Sequence, residues 1–266
     1  MKYILDNDLH IHTRLSICSD DAEQTPANIL QIAKLRNLKT VCITDHYWDD
    51  LVECNTKYNW WYRQQNFAHI SQSLPLPQDD EVKVLFGCET DLDSSYRVGI
   101  PPERWGDFDF IIVSTTHFHH MIGAEWENCG ERDLAALWVK RFEAVLNAGL
   151  PFKKVGIAHL ACGLINLESR ESYLRTLNYI PIEDMQRLFQ KAAELGVGIE
   201  LNYDDVKCTD EEVETVFRMF HIAKSCGCKF YLGSDAHSRQ DFENVDAAFE
   251  RAVEILGLQE KDKFTL

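Results

Sequence analysis

The sequence has 266 residues, of which 45% are hydrophobic and 26% are charged, and its formal net charge at pH 7 is −16. The apolar residues suffice for a large core, whereas no apolar stretch reaches the length of a transmembrane helix. A strongly acidic surface repels phosphate backbones and anionic lipids, so the composition argues against long nucleic acid or a membrane as a partner and favours a small molecule.

Apolar segments and segments of helical periodicity alternate along the whole chain. In chain order, the apolar segments cover residues 3–9, 40–44, 82–88, 109–115, 154–158, 197–202 and 229–234. The helical segments between them cover residues 25–36, 60–74, 131–147, 181–195, 210–225 and 241–256. This alternation predicts parallel strands joined by right-handed crossovers, and continuous apolar segments suit strands buried on both faces. We therefore predict an α/β fold, a TIM-like barrel distorted to seven strand–helix units, (β/α)7.

Nothing in the sequence divides the chain into parts. It has no linker rich in glycine, serine or proline, so we expect residues 1–266 to form one barrel domain. The first apolar segment begins at Tyr3, which leaves no room for a signal peptide. The nine cysteines are an odd number without C-x-x-C pairs, which suits a reducing compartment. We expect a cytoplasmic protein.

Two histidines, His10 and His12, stand two residues apart at the end of the first apolar segment. Side chains two residues apart on a strand point to the same face, so both imidazoles can bind one metal ion. In α/β barrels the active site lies at the C-terminal ends of the strands. Metal-binding side chains also follow the later apolar segments, namely His46, Glu89, His117, His159, Glu200, Asp235 and His237. The pattern predicts a site for Zn, Mn or Fe assembled from several strand ends, in which a carboxylate such as Glu89 bridges two ions.

The order of these motifs resembles that of the polymerase and histidinol phosphatase (PHP) family over nearly the whole chain. The motifs that carry the resemblance are Asp8-Leu-His-Ile-His-Thr, Ile43-Thr-Asp-His, Gly87-Cys-Glu, Thr115-Thr-His, Ile157-Ala-His and Gly233-Ser-Asp-Ala-His. Members of that family form a distorted seven-stranded barrel that holds up to three divalent metal ions, and many are phosphoesterases. The resemblance therefore implies a metal-dependent phosphoesterase.

The resemblance also implies a distribution of ligands over two or three ions. The first ion would be bound by His10, His12, Glu89 and Asp235. Glu89 would bridge to the second ion, which His117 and His159 would also bind. The third ion would take His46, His237 and one residue from the segment 16–21. We predict Asp20 for that position, with Cys18 and Asp21 as alternatives.

Other residues near the strand ends are predicted to assist the site. Asp45 points away from its neighbour His46 and is expected to support a ligand rather than to bind metal. His119 is a candidate proton donor to the leaving group, and the alternative is a histidine on a mobile loop. Arg170, Lys207 and Arg239 are candidates for binding the phosphate of a substrate, and the alternative for each is a solvated surface position.

The leading hypothesis is hydrolysis of a small phosphate monoester, with histidinol phosphate as the most plausible named substrate. A metal-bound hydroxide held by Glu89, His10, His12 and Asp235 would attack the phosphorus atom in line. One alternative is a nucleotide or oligonucleotide phosphodiesterase of the same family. Another is an amidohydrolase-like enzyme, although His117 stands where such enzymes commonly carry a modified lysine. The third is a metal-binding domain without catalytic activity.

Overall fold

A computed structural model describes residues 1–123 and 129–266 of the protein. Its centre is a single parallel sheet in which the strands follow one another in chain order. The strands are β1 (Asn7–Ile11), β2 (Thr40–Ile43), β3 (Lys83–Asp91), β4 (Phe110–Ser114), β5 (Val155–Ala158), β6 (Gly198–Asn202) and β7 (Lys229–Gly233). The predicted fold class, a TIM-like barrel of seven strands, is confirmed.

Strands β1 and β7 meet at their C-terminal ends and nearly close the barrel. The amide of Asp235 donates to the carbonyl of His10 over 2.8 Å, and the amide of His12 donates to the carbonyl of Ala236 over 3.0 Å. Nearer the other end, the side chain of Asn7 accepts from the amide of Leu232. Closure brings the first and last predicted metal-binding motifs side by side.

Helices cover the outside of the barrel. Their bounds are α1 (Pro26–Leu35), α2 (Asn59–Gln64), α3 (Phe67–Ile70), α4 (Glu131–Asn147), α5 (Arg170–Tyr179), α6 (Ile182–Leu195), α7 (Tyr203–Val206), α8 (Val213–Ser225) and α9 (Val245–Leu256). Helix α1 begins where predicted, because the Thr25 side chain accepts from the amide of Asn28 and Pro26 occupies the first turn. Helix α6 ends at Gly196, whose φ of 74° suits a residue without a Cβ atom.

The helix predicted over residues 60–74 is two short helices, α2 and α3. Gln65 ends the first, and its side chain bonds instead to the amide of Ile17 and the carbonyl of Leu15. Asn66 then caps the second helix by accepting from the amide of His69. Helix α5 was not among the predicted segments, because its sequence is mostly polar and buries only two large side chains, Tyr173 and Leu177.

The interior of the barrel is packed rather than hollow. A cluster of buried side chains fills it: Leu9, Cys42, Leu85, Phe110, Ile112, Ala158, Tyr231 and Phe264. A Cβ atom at Gly156 would lie 2.6 Å from the rings of both Phe110 and Tyr231, so only glycine fits there. On β3 the alternation of side chains places Leu85 in this cluster and Glu89, four residues later, on the same face above it. The polar site therefore lies directly above a layer of buried, mostly apolar side chains.

In the part of the chain that the structure describes, none of the helices combines the length and the apolar character needed to cross a lipid bilayer.

Candidate metal centre

All the predicted metal ligands except Asp20 converge at the C-terminal end of the barrel. They are His10, His12, His46, Glu89, His117, His159, Asp235 and His237. We divide them into a first donor group (His10, His12, Glu89 and Asp235), a second donor group (Glu89, His117 and His159) and a third donor group (His46 and His237). Seven strands of the barrel end around them, so residues distant in sequence are fixed on one rigid frame.

The first donor group brings both imidazoles close to a carboxylate oxygen of Glu89 and of Asp235. The His10 Nε2 and His12 Nε2 atoms lie 3.0 Å apart, and each lies 3.1–3.5 Å from Glu89 Oε2 and from Asp235 Oδ1. Four ligands at about 2.1 Å from a central ion would be separated by about 3.4 Å. The two imidazole nitrogens and Glu89 therefore have the spacing of ligands to one divalent cation, and Asp235 Oδ1 lies at similar distances from both imidazoles.

The tautomer of His10 is set by a buried glutamate. Glu200 Oε1 lies 2.7 Å from His10 Nδ1, and both side chains are fully buried. A carboxylate there requires the proton on Nδ1, which leaves the lone pair of Nε2 directed at the donor group. The other oxygen of Glu200 accepts from the amide of His159 over 2.7 Å. Glu200, one of the predicted strand-end residues, thus positions two ligands.

A second hydrogen-bonded chain sets the tautomer of His12. Ser16 donates its hydroxyl proton to Asp45 Oδ1 over 2.7 Å, so its oxygen accepts from His12 Nδ1 over 2.9 Å. The lone pair of His12 Nε2 therefore faces that of His10 Nε2. Asp45 also accepts from the amide and the hydroxyl of Thr13. Asp45 supports a ligand from behind, as the sequence predicted.

Glu89 stands between the donor groups. Its Oε1 atom lies 2.9 Å from His159 Nε2, and its Oε2 atom lies 2.9 Å from His46 Nδ1. The Oε2 atom is buried, yet it accepts no well-aligned hydrogen bond from residues 1–123 or 129–266. Burial raises the pKa of Glu89, but His46 and His10 outweigh it and hold the pKa well below its usual range. An ionised, buried oxygen without a hydrogen bond fits a metal-bridging carboxylate.

The second donor group is held by residues behind it. His117 Nδ1 lies 2.8 Å from Asp91 Oδ2, and His159 Nδ1 lies 2.7 Å from the hydroxyl of Thr116. The backbone of His159 has a φ of 31° and that of Asp235 a φ of 55°. Such left-handed conformations are costly for residues with a side chain and concentrate at functional sites.

Asp91 contacts a predicted metal ligand, His117, and was not among the predicted site residues. Besides His117, it accepts from Arg141 over 3.2 Å and from the hydroxyl of Tyr62 over 2.5 Å. The Arg141 guanidinium is fully buried, so this carboxylate also supplies its counter-charge. The signal was present in the sequence, because Asp91 follows Glu89 by two residues and so shares its face of the strand.

The third donor group adjoins the first. Nitrogen atoms of His12, His46 and His237 lie within 4.8 Å of one another. The thiol of Cys18 belongs to the segment in which the oxygen of Ser16 accepts from the amide of His46 and the hydroxyl of Ser19 donates to the carbonyl of His237. Burial raises the pKa of that thiol, but the two imidazoles lower it more, to about 6. Asp20 is exposed, and no hydrogen bond or ion pair joins it to either ring within the described chain, so its role as a ligand stays a prediction.

A cavity of about 490 Å³ opens beside the donor groups. Residues from the first two groups line it, together with residues that follow β5 and β6: His117, His159, Cys162, Gly163, Leu164, Asn166, Leu167, Ser169, Arg170, Tyr173, Asn202, Asp204 and Asp235. Of the three predicted phosphate-binding cations, Arg170 lines this cavity. Lys207 pairs with Asp204 and lines a different surface pocket, and Arg239 pairs with Asp21 near the third donor group.

His119 lies beside the second donor group rather than on the cavity wall. Its ring centroid is 5.7 Å from that of His117 and 3.9 Å from that of His120. Burial, together with those two imidazoles, lowers the pKa of His119 to about 3. The ring is therefore neutral at pH 7, and its role as a proton donor stays a prediction.

Known proteins resemble this chain in sequence or in fold. A probable phosphatase from Caldicellulosiruptor saccharolyticus is 23% identical over 243 residues, which cover 91% of this chain and 84% of that protein. The crystal structure of histidinol phosphate phosphatase from Lactococcus lactis, complexed with zinc, L-histidinol and phosphate, superposes with a TM-score of 0.60 at 14% identity, covering 98% of this chain and 99% of that one. A putative histidinol phosphatase from Listeria monocytogenes gives a TM-score of 0.61 at 12% identity, covering 91% of this chain and 99% of that one.

The family follows from the sequence. Residues 8–204, well over half of the chain, match the model of the PHP domain. That span contains the motifs of His10, His46, Glu89, His117 and His159, on which the resemblance was based. The predicted family is confirmed, and with it a phosphoesterase type of enzyme: this chain belongs to the PHP domain family.

Proposed function

We propose that this protein hydrolyses a small phosphate monoester at a centre of two or three divalent metal ions, and that L-histidinol phosphate is the first substrate to test. The observation that carries the proposal is the first donor group, in which the Nε2 atoms of His10 and His12 lie 3.0 Å apart and 3.1–3.5 Å from an oxygen of Glu89 and of Asp235. The adjoining cavity, which Asp235 lines, gives a phosphate ester access to this group. The imidazoles and carboxylates suit Zn, Mn or Fe.

In this proposal the protein residues hold the metal ions, and the ions supply the chemistry. Bound divalent ions would supply a Lewis acid for the phosphoryl oxygens and a water of lowered pKa. Glu200 and Asp45 fix the imidazole tautomers in advance, so the donor atoms need no rearrangement. Burial raises the pKa of Asp235, but His10 and His12 hold it well below its usual range, so this ligand stays ionised at neutral pH.

The cavity favours a metabolite over a polymer. A volume of about 490 Å³ is that of a typical small-molecule pocket. The phosphate would lie against His117, His159 and Asp235, and the organic part against Leu164 and Tyr173. The Lactococcus protein binds L-histidinol and phosphate, which supports a substrate of this size and class.

Arg170 is the residue that we propose for contacting the substrate from the protein side. Its Nε and one terminal nitrogen each donate to Glu212 over 2.7 Å. This pair holds the guanidinium on the cavity wall and leaves the other terminal nitrogen to face an anion. Lys207 and Arg239, which lie outside the cavity, are not part of this proposal.

Phosphate release is the direct test. Protein loaded with Zn²⁺, Mn²⁺ or Fe²⁺ is assayed with L-histidinol phosphate, an aryl phosphate monoester and an aryl phosphate diester. We expect turnover of the monoesters, and its loss in His10→Ala with the fold retained. His221→Ala, at an exposed position of α8, serves as the matched control and should keep full activity.

Three outcomes would contradict the proposal. Retained turnover in His10→Ala would show that the reaction does not need the first donor group. A clear preference for the diester would favour a phosphodiesterase. Stoichiometric metal binding without hydrolysis of any ester would favour a binding domain.

A further inference from the structure

The carboxylate of Asp91, behind the second donor group, is saturated with hydrogen bonds. Its Oδ1 atom accepts from the amide of Leu92 over 2.7 Å and from the guanidinium of Arg141 over 3.2 Å. Its Oδ2 atom accepts from the hydroxyl of Tyr62 over 2.5 Å and lies 2.8 Å from His117 Nδ1. An ionised carboxylate has about four acceptor positions, and these four partners use them all.

A buried arginine keeps this carboxylate ionised. Asp91 is 2% exposed and Arg141 is 0% exposed. Arginine stays protonated in proteins, so its burial requires a negative partner. Arg141 also donates to the carbonyl of Thr115 over 2.6 Å and to that of Leu92 over 3.0 Å. The pair is therefore fixed between the C-terminal ends of β3 and β4.

The ionised carboxylate determines where two imidazoles carry their protons. Because Asp91 can only accept, His117 has its proton on Nδ1, and the lone pair of Nε2 is left for an ion of the second donor group. Tyr62 gives its single hydroxyl proton to Asp91, so its oxygen accepts from His120 Nδ1 over 2.6 Å. Asp91 thus sets the tautomer of His117 directly and that of His120 through Tyr62.

An alternative role for Asp91 is that of a metal ligand. Donor atoms of Asp91, His117 and His120 lie within 4.8 Å of one another, which is close enough for one ion. An ion there would compete for the oxygen that Tyr62 and His117 already share. It would also lie beside the buried positive charge of Arg141, which pairs with the same carboxylate. The hydrogen bonds therefore favour Asp91 as the partner of a ligand.

We propose that Asp91 is a positioning residue for the ion of the second donor group. By holding Nδ1 of His117, it directs Nε2 of that ring at the ion. The inference rests on the metal centre of the proposed function, but not on the reaction that takes place there. Partners of this kind orient a metal-binding imidazole and raise its basicity, so their loss weakens metal binding.

A second buried carboxylate provides the matched control. Asp93 is 0% exposed and lies two residues beyond Asp91. Its oxygens accept from the backbone amides of Asn55 and Ser95 and from the amide and the guanidinium of Arg97. In the part of the chain that the structure describes, no hydrogen bond or ion pair joins it to a histidine. Asp93→Asn therefore removes a buried charge from the same strand end without touching the centre.

Metal affinity is the first readout. Full-length protein competes for Zn²⁺ with a chromogenic chelator, which resolves the affinities of the bound ions. We expect Asp91→Asn to bind one ion about 10- to 100-fold less tightly and the others as the parent does. Asp93→Asn should leave every affinity unchanged.

A double variant separates positioning from stability. Asp91→Asn leaves the guanidinium of Arg141 buried without a counter-charge, which by itself destabilises the fold. Asp91→Asn combined with Arg141→Met has no unpaired buried charge at this position. It should unfold at a higher urea concentration than Asp91→Asn does, while its metal affinity stays as low.

The tautomer of His117 is the second readout. Protein labelled with ¹⁵N in the histidine rings is examined by NMR with and without Zn²⁺, and His117→Gln identifies the signals of this ring. We expect the proton on Nδ1 in the parent and in Asp93→Asn. In Asp91→Asn it should move to Nε2 in a large fraction of the metal-free molecules, because the asparagine nitrogen donates instead of accepting.

The outcomes separate this proposal from the proposed function. Unchanged affinity for every ion in Asp91→Asn, an equal loss in Asp93→Asn, or a proton on Nε2 of His117 in the parent would overturn the role of Asp91. A parent that binds metal but hydrolyses no ester would overturn the proposed function and leave that role in place. A parent that binds no metal would overturn both.

Discussion

Glu200 shows how a single buried side chain contacts two predicted ligands of this centre. One oxygen fixes the ring of His10 and the other holds the amide of His159, so the first and second donor groups share one buried anchor. Substituting this carboxylate should therefore disturb two ligands together. Residues that orient metal ligands typically contribute as much to affinity as a weak ligand does.

We expect Glu200→Gln to lower both Zn²⁺ affinity and kcat/KM by about 10- to 100-fold, because the single oxygen of the glutamine amide can replace only one of the two acceptor oxygens, and its nitrogen donates instead of accepting. Chelator competition and steady-state kinetics measure the two quantities. Glu211→Gln, at an exposed position, controls for loss of one negative charge. Unchanged metal affinity in Glu200→Gln would show that His10 needs no anchor.

At the scale of elements, the pair between Arg170 and Glu212 joins helix α5 to the turn that precedes α8. Two hydrogen bonds of 2.7 Å connect them at the rim of the cavity. The hydrogen bond from Arg170 is the largest influence on the pKa of Glu212, which is lowered from 4.5 to about 2. The glutamate side chain is 13% exposed and the arginine 51%.

A depressed pKa in the folded state stabilises the fold above the unfolded-state value and loses its effect as the pH falls toward the folded-state value. We expect Glu212→Gln to reduce the free energy of unfolding at pH 7 by about 1 kcal/mol, a figure that allows for the solvent around Arg170. The difference from the parent should vanish as the pH falls from 4.5 to about 2. Urea denaturation at a series of pH values measures it, and a difference independent of pH would refute the ionic explanation.

Sequence patterns predicted the order of strands and helices and the side chains at the strand ends. They did not reveal contacts between residues that are distant in sequence. The ligands from His10 to His237 each end an apolar segment, so their positions could be read along the chain. Arg141 gave no such signal, because its partner Asp91 lies fifty residues earlier. The segment predicted to supply the third ligand forms a turn, and the hydrogen bonds of that turn to His46 and His237 appear only in three dimensions.

At the scale of the whole molecule, the packed interior of the barrel supports the metal centre. Phe110 and Tyr231 meet edge to face over 5.2 Å beneath it, and Gly156 leaves them the room to do so. The same floor excludes water from the buried side of Glu200 and Glu89. A substitution in this layer of buried side chains should therefore change both the free energy of unfolding and the metal affinity.

We expect Gly156→Ala to lower the free energy of unfolding by about 1–3 kcal/mol, since its Cβ atom would overlap both rings. Chemical denaturation measures the loss. Gly163→Ala is the matched control, because a methyl group added there would have no described atom within 4 Å, and its effect should be small. Equal stability of the two variants would contradict a tightly packed interior.

The central claim is that the strand-end cluster is one metal centre that hydrolyses a phosphate monoester, with Glu89 shared between its ions. The most direct test measures bound metal and phosphate release together in the parent and in Glu89→Gln. We predict two or three ions per chain and turnover of L-histidinol phosphate or another monoester in the parent, with loss of turnover and of at least one ion in the variant. Full metal content and unchanged turnover in Glu89→Gln would contradict the account.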